Sequence, residues 1–260
     1  MTRTTASYIS RHKRFWEIDL VRTVALLGLL FFHTRELLYH FDLCAEPLAS
    51  GVWFYIRAVN AGLFIFSAGV ALTIAYSRGK RMSSFMLRGL KIFGLGMLIT
   101  LLSLLVVPEE YVRFGILHFF GIAFILVPFF LRFRYISLIL GAAVMAAGIC
   151  LGSTSADFPW LLWLGLRPHH FRTLDYFPLL PWFGLLLVGM FFGKILYPEG
   201  NRRFNIPEFS SPVASGFMLL GRHPLVVYVA HLPILIGVIF ALYPDKILPY
   251  VKEALSYLPF

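Results

Sequence analysis

The chain has 260 residues, 59% of them hydrophobic and 14% charged, a balance that excludes a soluble domain because no single core of this size hides so much apolar surface. Its formal net charge of +10 raises nucleic acid as a partner, but the cations cluster at the ends of apolar runs rather than on a basic face, so none is expected. The lipid bilayer is the partner the composition implies, and the expected fold class is all-α, a polytopic transmembrane helix bundle.

In chain order, a basic segment at residues 1–15, with Arg3, Arg11, Lys13 and Arg14, precedes the first apolar run. That run carries Glu17, Asp19 and Arg22 and lacks a small-residue cleavage site, so it is read as a retained helix rather than a signal peptide. Crossing ~30 Å of hydrocarbon takes roughly 20 residues, and about seven stretches qualify. They are residues 18–39, 51–77, 85–107, 115–131, 135–152, 177–197 and 220–243, with the fourth and fifth separated only by Arg132, Phe133 and Arg134. The tryptophan-rich stretch Phe158 to Leu166 is too short to span and is expected at the interface or re-entering. Residues 244–260 read as an outer interfacial segment, with an amphipathic helix left open by Pro244 and Pro249. No repeat or linker divides the chain, so one membrane domain over 1–260 is the economical reading.

Short cytoplasmic loops collect lysine and arginine, which places the N-terminus in the cytoplasm. Arg78, Lys80 and Arg81, then Arg132 and Arg134, then Arg202 and Arg203 fall on that side, whereas Glu109, Glu110 and the Asp42 to Glu46 loop fall outside. Arg35, Arg57, Arg113, Arg167 and Arg172 dissent from the bias without reversing it. Cys44 and Cys150 occupy settings too different to pair, and His169 and His170 have no carboxylate or cysteine at ligand spacing nearby other than Asp175, so no metal is expected.

Ionisable residues inside a span are costly and usually face a partner, a cavity or water. From Arg22 to His33 is eleven residues, about three turns, so the two side chains share a helix face about 16 Å apart along the axis. Asp19, Arg22, Leu26, Leu29 and His33 form one stripe. A cation at one end and a titratable, nucleophilic imidazole at the other suit a ligand with a phosphorylated head and an extended arm; lone side chains reaching for the headgroups are the plainer alternative.

The string Arg14 to His33 looks like the opening helix of the transmembrane acyltransferases. The acyltransferase-3 family and the heparan-alpha-glucosaminide N-acetyltransferase catalytic-domain family both begin with an acidic residue, an arginine three on and a polar residue eleven beyond it, and Asp19, Arg22 and His33 fit. Ala61 to Val70 and Leu87 to Lys91 resemble their second and third helices. Arg113 to His118 and Leu174 to Gly184 look like bacterial members of the heparan group, and Leu220 to His231 is similar to the closing helix of both families. Lysosomal enzymes of the heparan group have asparagine in place of His33 and a histidine in the next segment, where this chain has His40 and Cys44 without a match; there it follows the acyltransferase-3 pattern.

The resemblance implies a multi-pass enzyme of the bacterial inner membrane that moves an acetyl or other acyl group from cytoplasmic acyl-CoA, its donor substrate, to a glycan or amino-sugar acceptor outside. Arg22, Asp19, Arg88 and Lys91 would then serve the CoA end, and His33 the transfer, either as general base or as nucleophile. Asp175 is a candidate for orienting an imidazole or binding a sugar hydroxyl, with capping of the sixth helix ahead of Pro178 as the alternative. His118 is a secondary catalytic candidate. Asn60 and His231 read first as polar groups bonded between helices. A small-solute or proton-coupled transporter is the competing class, but the two related halves expected of one are not found.

Overall fold

A computed structural model describes residues 14–45, 51–152, 154–156, 158–208 and 211–256. Arg3, Arg11, Lys13 and the last residues of the expected interfacial segment lie outside the described residues. In chain order the helices are α1 (Trp16–His40), α2 (Val52–Ser77), α3 (Met82–Val106), α4 (Ile116–Leu126), α5 (Tyr135–Leu151), α6 (Leu179–Leu196), α7 (Pro212–Phe217), α8 (Leu219–Arg222), α9 (Pro224–Leu242) and α10 (Pro244–Ser256). Extended pairing among the described residues is confined to two isolated bridges, Phe114 with Tyr176 and Ser155 with Arg167.

The protein is a helical membrane bundle, as composition requires. α2, α3, α6 and α9 are long and apolar enough to cross a bilayer, whereas Ile116–Phe129 and Tyr135–Leu151 are shorter apolar helices. α1 has 25 residues and carries acidic Glu17 and Asp19 in its first turn, where they complement the helix dipole. Its Val21, Val24, Leu27 and Phe31 form an exposed strip on the face opposite buried Asp19 and Leu26. Large apolar side chains exposed at such spacing fit a lipid-facing surface.

Local chemistry sets the helix ends. α1 stops at Asp42, whose φ of 55° lets the Leu43 N–H reach the Leu38 carbonyl at 2.8 Å. α2 ends the same way at Gly79, with φ of 89° and the Lys80 N–H on the Ala75 carbonyl. The seventh expected span, 220–243, is broken: His223, at φ −124° and ψ 50°, separates α8 from α9. The cause is Pro224, because the ring of a proline disfavours helical geometry in the residue before it. Leu180, ahead of Pro181, departs from helix for the same reason. The Phe158 to Leu166 stretch does not span; it makes a single 3-10 turn at Pro159–Leu161 and leaves Trp160 76% exposed.

The described residues form two compact units, one of those up to Ser67 together with Asn205–Ser256, the other of Ala68–Phe204. In the first, α1 packs on α8 and α9, and α9 on α10. Asn60 of α2 donates from Nδ2 to the Ala25 carbonyl at 2.9 Å, so the interhelical reading of that residue holds. α10 is helical despite Pro249, and its Ile247 packs with Phe41 and Ile239 in a small core.

In the second unit, α3 pairs with α4 and α5 with α6. A Cβ on Gly184 would come within 2.5 Å of the Gly141 carbonyl, and one on Gly89 within 2.7 Å of the Gly121 carbonyl, so both helix pairs need backbone contact that only glycine permits. Gly69 meets the Leu186 carbonyl in the same manner, whereas a Cβ on Gly94 would meet no described atom within 4 Å.

Candidate functional site

α1 organises the first unit's polar groups. Near its start Asp19, 6% exposed, lies 3.4 Å through Oδ2 from Nε of Arg222, the last residue of α8. Arg14 and Arg22 also act on this carboxylate electrostatically. One turn on, fully buried Thr23 donates from Oγ1 to the Asp19 carbonyl at 2.9 Å and accepts the Gly221 N–H at 3.0 Å. Arg22 is half-buried on the same turn. Sequence reasoning named Asp19 and Arg22 but not Thr23 or Arg222, which lie almost two hundred residues apart in the chain and meet only in the fold.

Toward the other end of α1, half-buried His33 faces His231 of α9, their rings 5.0 Å apart and at 72°. His231 is 3% exposed, and its Nδ1 meets the Tyr228 carbonyl. Beyond them Glu36 and Arg57 form a half-exposed ion pair at 3.5 Å. α1 is helical from Trp16 to His40, so the stripe lies along one helix face, with Asp19 and Leu26 buried and Arg22, Leu29 and His33 half-buried.

Asp175 and His118 come together in the second unit, at the N-terminus of α4. Asp175 Oδ2 accepts the Ile116 N–H at 2.9 Å, and His118 Nδ1 accepts the Gly115 N–H at 3.2 Å. Asp175 thus caps α4, not the sixth helix that sequence reasoning offered as the alternative. The second nitrogen of His118 lies 3.2 Å from Thr100 Oγ1, whose proton goes to the Val112 carbonyl at 2.7 Å. With Nδ1 accepting and Nε2 donating, both sides of this 2%-exposed imidazole are engaged. Thr173 ties the two segments further, donating to the Tyr111 carbonyl at 2.8 Å and accepting from the Arg113 N–H at 3.3 Å. Beside them, burial pushes the Tyr176 phenol up to about 12, against the opposing pull of Arg167, and its hydroxyl donates to the Leu162 carbonyl at 2.8 Å.

We expect Asp175→Ala to lower stability by about 0.5–2 kcal/mol, the usual worth of a helix cap, and Asp175→Asn to keep both stability and activity because its amide oxygen can still accept. A thermal melt and a turnover assay on the pair check this. An Asn variant that melts like the parent yet loses turnover would return the carboxylate to the chemistry.

Arg88 and Lys91 stand exposed near the start of α3, Arg88 with its guanidinium 5.7 Å from the centroid of the Phe124 ring. Lys80, in the preceding loop, sits over Phe85 and is pushed below the ordinary lysine range by burial and by Arg88. Cys44 and Cys150 form no disulfide with one another, and exposed His169 contacts Ser155 at 3.1 Å.

Comparison with known protein families decides the classification. The family described as heparan-alpha-glucosaminide N-acetyltransferase, catalytic, matches residues 14–233. The chain belongs to this family. Comparison with curated proteins and with solved structures gives no match. The heparan-alpha-glucosaminide N-acetyltransferase match begins just before α1 and ends inside α9, so it takes in both facing histidines. Membership implies a membrane acetyltransferase-type function, which suits a bundle whose first helix carries arginine and histidine on one face.

Proposed function

We propose that the protein moves an acetyl group from acetyl-CoA to a glycan or amino-sugar acceptor on the far side of a bacterial inner membrane, with its N-terminus in the cytoplasm. The observation that carries this reading is the family match across 14–233, which spans the whole stripe from Asp19 to His33. His33 meets the thioester carbon; its ring has the His231 contact and no hydrogen-bond partner among the described residues, so its nitrogens are available to a substrate.

Arg22, half-buried three turns from His33, serves the anionic head of CoA, with Asp19 and Arg222 holding that turn in place. Arg88 and Lys91 of the second unit are exposed cations near a helix start, a setting whose charge suits an anionic ligand. Asp175 and His118 fix the entry to α4, a positioning part.

The test is binding followed by turnover. Purified protein in detergent should melt higher with acetyl-CoA, by about 2.7 kcal/mol of linkage at a hundredfold excess over Kd, and should release CoA thiol when glucosamine is added. The absence of both a melting shift and thiol release would overturn the reading. Arg22→Ala is expected to weaken acetyl-CoA binding roughly ten- to hundredfold by calorimetric titration, leaving the ligand-free melt unchanged. A ligand-free melt that falls instead would make Arg22 a structural residue.

A further inference from the structure

His231 is 3% exposed, yet its Nε2 is buried with no hydrogen-bond partner among the described residues. Leaving a buried ring nitrogen unsatisfied costs free energy, so its persistence asks for a ligand. The tautomer follows from the other nitrogen. Nδ1 meets the Tyr228 carbonyl, which can only accept, so Nδ1 carries the proton and Nε2 the lone pair. The ring this imidazole faces is that of His33, 5.0 Å away and edge to face. The nearest charged residues described at this end are Arg35 and Glu36 of α1 and Arg57 of α2; Glu36 is tied to Arg57 at 3.5 Å and the two arginines are cations, so none offers a free base.

We infer that His231 is the general base that accepts the acceptor's proton. The inference rests on the acetyl-transfer reading above. In the first half of the reaction one nitrogen of His33 bonds to the thioester carbon, the carbon–sulfur bond breaks, and the departing thiolate takes the proton from the other nitrogen of His33. In the second half the acceptor's amine or hydroxyl attacks acetyl-His33. Its proton passes to Nε2 of His231 as the new carbon–nitrogen or carbon–oxygen bond forms and the bond to His33 breaks. His231 then returns the proton to His33, and both rings are restored. Two adjacent imidazoles divide the work by setting: the accessible one receives the acetyl group, and the buried one, with its tautomer fixed by backbone, handles the proton.

The experiment compares full-length wild type, His231→Gln and His231→Ala in detergent, with acetyl-CoA as donor and glucosamine as acceptor. In a single turnover both variants should still release the first equivalent of CoA thiol, because acetylation of His33 does not need His231. Steady-state transfer should fall about 10²–10⁴-fold. Free imidazole should restore transfer at least tenfold in His231→Ala, where it can occupy the vacated space, and not in His231→Gln. A structural role would not respond to added base. Unchanged transfer in the Gln variant, or a loss in the Ala variant that imidazole does not restore, overturns the assignment of His231. Wild type that releases no CoA thiol overturns the acetyl-transfer reading itself, and this assignment with it.

Discussion

Replacing His33 with alanine is expected to stop acetyl transfer, with turnover down about 10²–10⁴-fold or below detection and the fold retained. The side chain is half-buried with its ring against that of His231, so a thermal melt of the variant accompanies the assay to show that the fold is kept. The effect should fall on both halves of the reaction: no first equivalent of CoA thiol, and no acetylated glucosamine. That pattern separates His33 from His231, whose loss should spare the first half. A His33→Ala protein that melts like the parent and turns over normally would remove His33 from the mechanism and take the chemical meaning of the α1 stripe with it.

The second large effect is structural. Gly221→Ala should lower stability by about 1–3 kcal/mol from overpacking, with about 1 kcal/mol more if the Gly221 to Thr23 hydrogen bond is broken. A Cβ at that position would lie 2.0 Å from the Asp19 carbonyl oxygen and 2.7 Å from Thr23 Oγ1. The nearer obstacle is backbone, which no rotamer change can clear. α8 must then draw back from α1, pulling Arg222 away from Asp19 on the turn that carries Arg22. Gly94→Ala is the matched control, since no atom of the described residues lies within 4 Å of its added methyl. The two variants should differ clearly in melting temperature; equal melts would show that α8 can shift without cost.

Much of the bundle was legible in the sequence because lipid imposes length and composition directly. The spans expected at 51–77 and 135–152 differ from α2 and α5 by a single residue at one end. The break before α9 was missed although Pro224 announces it, because a run of apolar residues outweighs one proline when length is the criterion. The site was legible only along one helix. The face shared by Asp19, Arg22 and His33 follows from helical geometry, but the partners that give those residues meaning come from far along the chain: Gly221 and Arg222 at one end, His231 at the other. Local pattern contains no information about which distant segment returns to a given turn. Asp175 shows the same limit, since its capping role was anticipated but the helix it caps begins 59 residues earlier. For His231 the sequence shows only a polar residue on the last helix. That Nδ1 meets the carbonyl of Tyr228, and that Nε2 is buried with no hydrogen-bond partner among the described residues, emerge only in the fold.

The tie between the segments flanking α4 and α6 bears on how the protein opens. The Leu174 N–H rests on the Glu110 carbonyl at 2.7 Å, the Phe177 N–H on the Phe114 carbonyl at 2.9 Å, and the Ile116 N–H on Asp175. None of these bonds survives separation of the two strands, so the three amides should exchange with deuterium at one common rate and speed up together in Asp175→Ala. Segments remote in sequence would then behave as a single latch that breathes as a whole.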